Sequence, residues 1–180
     1  MKKLLVVVDY QNDFVDGALG FEKAATLEKG IVTKIQQYLN EGHSVLFTYD
    51  THHEDYLNTR EGKKLSVLHC VEGTYGHELY GKLNQYKDAE NTIHINKFSF
   101  GMSSENIEEL SKQIGSNVDE IEIVGVVTNM CVISNVVVLQ SQYMNAEIIV
   151  DASLCASFDD ELHEKALDVM AAMQVKVINR

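Results

Sequence analysis

The sequence predicts an α/β protein, a six-stranded parallel sheet with helices on both faces. Three observations carry that prediction. Continuous apolar runs recur along the 180 residues, segments with helical periodicity separate them, and the first two runs each end in an aspartate. Apolar runs without alternation suit strands buried on both faces, and strands alternating with helices imply parallel pairing. The length and the absence of a linker or repeat predict one domain over residues 1–180.

The elements follow in order. "KKLLVVVDY" reads as the first strand, closing at Asp9. Leu27, Ile31, Ile35, Tyr38 and Leu39 share one helical face, and Gly42 is placed to stop that helix. "HSVLFTYD" is the second strand, closing at Asp50. Residues 51–91 show no strong period, and a loop of that length is usually functional. "TIHIN" is a short third strand, followed by Lys97 and a helix over residues 103–114. "EIEIVGVV" is the fourth strand, with Cys131 a few residues beyond it. Val132, Val136, Leu139 and Tyr143 then fall at helical spacing. "AEIIVD" is the fifth strand. Ser157, three residues before Asp160, predicts the cap of a helix running to Met173. "VKVI" is the sixth strand.

Composition excludes several functions. A hydrophobic fraction of 45% and a charged fraction of 23% are ordinary for a globular protein. No run approaches the roughly 18 to 20 apolar residues that span a bilayer, and no signal-peptide pattern opens the chain. The three cysteines are an odd number without framework spacing, so free thiols in a reducing cytoplasm are expected. The net charge of −12 argues against nucleic acid and anionic membranes. A small molecule is the expected partner, and assembly into a homo-oligomer is left open.

Ligands of parallel sheets sit beyond the carboxyl ends of the strands, which directs attention to Asp9, Asp50, Lys97 and Cys131. Taken singly, each has an ordinary reading: a strand-end aspartate is commonly a turn former, and a free cysteine is often an inert apolar filler. Together they supply an acyl-transfer site. A cation lowers a thiol pKa, a carboxylate moves its proton, and amides at a helix start hold an oxyanion. Cys70 and Cys155 lack such companions and read as structural. In "DTHHEDYLNTREGKKLSVLH", Asp50 and His52 are two apart and point to one side of an extended segment. Glu61 and His69 lie in the same loop. These O and N donors suit one divalent ion, Zn first and Mn or Fe next, rather than a closed thiolate zinc site. Phe14, Phe98 and Phe100 are placed to line a flat apolar pocket.

"VVVDYQNDFVDGALG", "YDTHHEDY", "HCVEGTYGHEL", "INKFSFG" and "GVVTNMC", in this order, resemble the isochorismatase-like cysteine hydrolases, and among them the nicotinamidases. The resemblance covers residues 4 to about 178. It implies a triad of Asp9, Lys97 and Cys131, and a cis peptide between Val126 and Val127. It also implies an oxyanion hole built from the amides of Val127 and Cys131, and a divalent metal on Asp50, His52 and His69 with Glu61 as an additional ligand. Phe14 and Phe100 would hold the substrate ring. Leu68 stands where many nicotinamidases carry an aromatic wall residue. The implied activity is deamidation of nicotinamide to nicotinate and ammonia through a cysteine thioester, a step of NAD salvage. Two alternatives stay open at this point: another amide or ureide hydrolase on the same triad, and a non-catalytic small-molecule-binding module.

Overall fold

The structure, a computed structural model, describes residues 1–180. Six parallel strands form one sheet: β1 (Lys3–Val8), β2 (Ser44–Asp50), β3 (Thr92–Lys97), β4 (Glu120–Val126), β5 (Glu147–Ala156) and β6 (Lys176–Ile178), in the order β3-β2-β1-β4-β5-β6. The helices are α1 (Asn12–Val15), α2 (Glu22–Thr26), α3 (Glu28–Asn40), α4 (Ser104–Ile114), α5 (Ile133–Gln142) and α6 (Asp160–Ala172). This is the α/β architecture that the sequence predicts. The long stretch after β2 holds three short 3-10 turns and returns to the sheet at β3.

The sheet divides the apolar residues into two cores, as alternating side chains of a doubly covered strand must. Leu4, Val6 and Val8 of β1 pack with α4, α5 and α6 on one face, while Leu5 and Val7 pack with α3 on the other. The strand order reverses at β1, where β2 leads to one edge and β4 to the other. A crevice opens beyond the carboxyl ends at such a switch point, and β1, β2, β3 and β4 all end there.

Two local features differ from the sequence reading. β5 does not stop at Asp151 but continues to Ala156. The Asp151 carboxylate is neutralised by Lys34 of α3, 2.7 Å away, so it can sit inside the strand. Cys155 and Ala156 then resume pairing with Gly125 and Val126 after a register irregularity. Because β5 runs on, the cap of α6 is Asp159, which accepts from Leu162 N at 3.0 Å. Ser157 instead accepts from Asp159 N and donates to Asn129 Oδ1 at 2.6 Å. The α4 helix is capped at Ser103, with Asn106 completing a reciprocal capping box.

Candidate active site

Asp9, Asp50, Lys97 and Cys131 are each placed at or just beyond the end of a strand. Asp9 follows β1 with φ +47°, a left-handed conformation that aspartate tolerates better than most residues. This turn puts a fully buried carboxylate at the mouth of the sheet. Asp50 and Lys97 are the last residues of β2 and β3 and are register partners. After β4 the peptide Val126–Val127 is cis, and a single π-helical turn, Thr128–Val132, carries Cys131 into α5. Gly125 is required just before it: its φ is +115°, and a Cβ there would lie 2.2 Å from Val8 O.

Lys97 joins the groups. Its Nζ lies 2.6 Å from Asp9 Oδ2, 3.7 Å from Cys131 Sγ, 3.0 Å from Ser99 O and 3.5 Å from Asp50 Oδ1. Burial by itself favours the neutral amine, but Asp9, Cys131 and Asp50 together outweigh it and raise the lysine pKa. Burial pushes the Asp9 carboxyl up against the opposing pull of Lys97, so Asp9 is a stronger base than an exposed aspartate. Burial also pushes the Cys131 thiol up, with Lys97 opposing. Burial thus favours the protonated sulfur and Lys97 the thiolate, and passage between them needs a close proton acceptor. Asp9 offers one. Its Oδ1 accepts from Thr48 Oγ1 at 2.6 Å, and its Oδ2 is held by the Lys97 ammonium at 2.6 Å.

Beside this triad, Asp50 Oδ2 lies 3.1 Å from His52 Nε2 and 3.4 Å from His69 Nε2. These three ligand atoms fall within 4.8 Å of one another, and all three residues are buried. His69 Nδ1 donates to Val67 O at 2.7 Å; this fixes the tautomer and turns the Nε2 lone pair toward Asp50. Burial lowers the His69 pKa, but Asp50, the Val67 carbonyl and Glu61 outweigh it and the net shift is upward. The pocket thus favours a cation. One carboxylate oxygen and two imidazole nitrogens, held by their surroundings, fit a borderline divalent ion. Glu61 stands further out, with Oε1 3.9 Å from His52 Nε2.

A cavity of about 250 Å³ connects the two clusters. Cys131, Val127, Asp50, His69 and Phe14 lie in its depth, each less than 9% exposed. Leu19, Glu61, Leu65, Phe100, Met130 and Phe158 form its outer wall. Phe14 packs edge-on against His69 with ring centres 5.6 Å apart. Val127 N–H has no backbone acceptor and so remains available beside the thiol. A wider groove between α4 and α5, about 620 Å³, is lined by residues such as Ser104, Val137 and Ser141 and holds none of these groups.

The structure therefore brings together Asp9, Lys97, Cys131, Val127, Asp50, His52, His69, Phe14 and Phe100, with Glu61 at the rim. It does not bring Leu68, which is 44% exposed and outside the cavity wall. Leu65 stands there instead, because the turns after Glu61 carry Leu65 inward. Phe98 is also outside; it is 62% exposed and lies against His53.

Several supporting residues escape a search for strand-end chemistry. Gln11 Oε1 accepts from Asp50 N at 2.8 Å, and its Nε2 donates to Asp50 O and His77 O. Asn135 Nδ2 donates to Cys131 O at 2.8 Å and Phe100 O at 3.1 Å, while its Oδ1 accepts from Met102 N. Gln11 is two residues from Asp9, Thr48 two from Asp50, and Asn135 four from Cys131. The Thr48 and Asn135 offsets are a signal, since period 2 on a strand and 3.6 on a helix return a side chain to the same side; Gln11 lies past the left-handed turn at Asp9, beyond β1, where no such period holds. Met130 and Phe158 have no such signal.

Comparison with known proteins agrees with this picture. The Isochorismatase domain family matches residues 3–180. An uncharacterized isochorismatase family protein PncA of Bacillus subtilis is 32% identical over 181 residues, which cover 95% of each chain. The crystal structure of nicotinamidase/pyrazinamidase PncA from Bacillus subtilis superposes with a TM-score of 0.87 at 30% identity, over 98% of this chain and 99% of that one. The pyrazinamidase of Pyrococcus horikoshii, solved in complex with zinc, has the same fold: TM-score 0.85 at 22% identity over the full length of both chains. These likenesses define the chain as a hydrolase built on a parallel α/β sheet. It belongs to the isochorismatase family.

Proposed function

We propose that this hydrolase deamidates nicotinamide to nicotinate and ammonia, a reaction that would serve NAD salvage, with Asp9, Lys97 and Cys131 as its catalytic residues. One observation carries the reading: a buried thiol 3.7 Å from a lysine that is itself paired with an aspartate opens on the same small apolar cavity as Asp50 and His69 of a buried Asp-His-His set. Relatives named nicotinamidase/pyrazinamidase support the amide as substrate.

A carboxamide enters with its carbonyl carbon toward Sγ. Asp9 takes the thiol proton, Lys97 stabilises the thiolate, and sulfur attacks the carbonyl carbon. The Val127 and Cys131 amides hold the oxyanion. As the C–N bond breaks, Asp9 returns the proton to nitrogen and ammonia leaves a thioester. Asp9 then deprotonates a water, whose oxygen adds to the same carbon. The C–S bond breaks, nicotinate departs and the sulfur recovers its proton from Asp9. The raised pKa of Asp9 suits both proton transfers. Asp50, His52 and His69 would hold the divalent ion, zinc first by its donor set, and Glu61 would complete its surroundings. When bound, that ion supplies an electron-pair acceptor for the ring nitrogen, and Phe14 and Phe100 orient the ring. Positioning of this kind removes several kcal/mol of barrier.

The test is ammonia release from nicotinamide, pyrazinamide and ureidoacrylate, with metal analysis of the same sample. Nicotinamide should be turned over, and Cys131→Ala should lose at least about 10⁴-fold of the rate while keeping its metal. Retention of wild-type ammonia release by that variant would exclude the thioester route. A binding module without catalysis would give no release, and so no activity for iodoacetamide to abolish.

A further inference from the structure

The cavity is graded by depth. Its chemistry lies at the bottom, where Asp50 is 3%, His69 2%, Cys131 4% and Val127 2% exposed. Its mouth is apolar: Leu65 is 38%, Met130 36%, Phe100 44% and Phe158 47% exposed. Phe158 is held by a ring contact with Phe21, centres 4.6 Å apart. No lysine or arginine lines the wall, and the two ionisable groups other than the thiol and His69 are the carboxylates Asp50 and Glu61.

A pyridine carboxamide seated as proposed above has two anchored atoms. The ring nitrogen faces the Asp50, His52 and His69 end, and C3, which bears the carboxamide, faces Cys131. C2 lies between these anchors and points at the closed floor. C5 is the ring atom opposite C2, so it points out of the cavity toward Met130, Leu65 and Phe158. A substituent on C5 therefore meets apolar side chains and, in the same outer wall, the Glu61 carboxylate, while one on C2 meets the closed floor beside Cys131.

We infer that Leu65, Met130 and Phe158 form a specificity-determining apolar shelf, which makes the preferred substrates neutral 3-pyridinecarboxamides with hydrogen or a small apolar group at C5 and excludes those with an anionic group there. The inference rests on the nicotinamide reading. An apolar group gains by leaving water against these side chains. A carboxylate at the same place would be desolvated without a cationic partner, and the chain's net charge of −12 opposes its approach.

The experiment compares kcat/KM of the zinc-loaded full-length enzyme for nicotinamide, 5-methylnicotinamide, 5-carboxynicotinamide and 2-methylnicotinamide. The dissociation constants of the same amides for Cys131→Ala are measured by calorimetry. The 5-methyl compound should match or exceed nicotinamide in both readouts, because one methyl in an apolar pocket is worth up to about tenfold. The 5-carboxy and 2-methyl compounds should fall by about 100-fold or more. Phe158→Ala should reduce the preference for 5-methyl over 5-carboxy, and Met130→Lys should recover about tenfold of the 5-carboxy binding. If nicotinamide is hydrolysed and the 5-carboxy compound is bound and cleaved as well as the 5-methyl one, the shelf is overturned while the reaction stands. If 2-methyl is accepted and 5-methyl refused, the orientation of the ring is overturned. If nicotinamide is neither bound nor cleaved, the underlying reaction fails instead.

Discussion

Lys97 and Lys34 each sit between two carboxylates on strands of the same sheet, yet they occupy different kinds of surroundings. Lys34, on α3, reaches Asp151 Oδ2 at 2.7 Å and also contacts Glu122 Oε1. Each carboxylate is further satisfied, Glu122 by Tyr38 Oη at 2.7 Å and Asp151 by Ser153 Oγ and Asn179 Nδ2. Its side chain is 18% exposed. Lys97 is completely buried and paired with Asp9 Oδ2 at 2.6 Å, but a sulfur also stands 3.7 Å from its Nζ. The first cluster is closed upon itself and can only hold elements together. In the second, the ion pair is joined by a cysteine sulfur that lines a cavity. Charge burial alone does not make a reactive site; a thiol set between an ion pair and a cavity can.

The largest expected effect separates the two lysines. Lys97→Met should reduce turnover by about 10³-fold or more and, by leaving the buried Asp9 without its cationic partner, cost about 3–5 kcal/mol of stability. Lys34→Met should cost about 3 kcal/mol by the same physics, with kcat within about twofold of wild type. Urea unfolding and ammonia release on both variants check this. An active Lys97→Met, or an inactive Lys34→Met that remains folded, would break the comparison.

His52→Ala addresses the other half of the open site. It should lose the divalent ion and raise KM at least about tenfold, since removal of one ligand from a three-ligand set typically costs most of the affinity. Elemental analysis and the KM against kcat split report on it; a variant with full metal content and unchanged KM would remove the ion from substrate binding.

Thr48→Val tests Asp9 more gently. The Thr48 hydroxyl favours the charged carboxylate, so its loss should raise the Asp9 pKa further. The acid limb of the kcat/KM profile should then move to higher pH, with about a tenfold loss of rate below the optimum. Thr48→Ser should restore both. An unmoved acid limb would assign that limb to another group.

The smallest effect concerns the closed cluster and pH. Burial tends to raise Asp151, but Lys34, Ser153 and Asn179 outweigh it and the net shift is downward. A depressed carboxyl contributes stability that is complete above its unfolded pKa of about 3.9. That stability is lost as pH falls through the lower folded value. Lys34 is raised, since Asp151 and Glu122 outweigh its burial. Its contribution is complete below about pH 10.4 and fades as pH climbs through the folded value. Urea midpoints followed from pH 5 downward should fall less steeply in Lys34→Met than in wild type. Equal slopes would mean that Asp151 is not held down by this lysine.

The same pair of clusters explains what could be read in advance. Asp9, Asp50 and Asp151 look alike in the sequence, each following an apolar run. Two of them end their strands at the site. Asp151 does not, because Lys34 arrives from a helix more than a hundred residues earlier and lets β5 continue to Ala156. Leu68 and Leu65 are equally indistinct, since the turns between Glu61 and His69 decide which faces inward. Met130 and Phe158 reach the cavity from separate elements and have no local mark.

By itself the sequence determined the six strands, the helical faces and the positions of Asp9, Asp50, His52, Lys97 and Cys131 at or near strand ends. Those features are written in periods of 2 and 3.6 residues and in breaks of apolar runs, which are local properties of a chain. The tertiary structure decided the pairings: which aspartates meet a lysine beside a thiol, which leucine walls the cavity, and how far β5 extends. These depend on contacts between distant segments and on the burial that gives a charge its strength, and neither exists until the sheet has closed over its two cores.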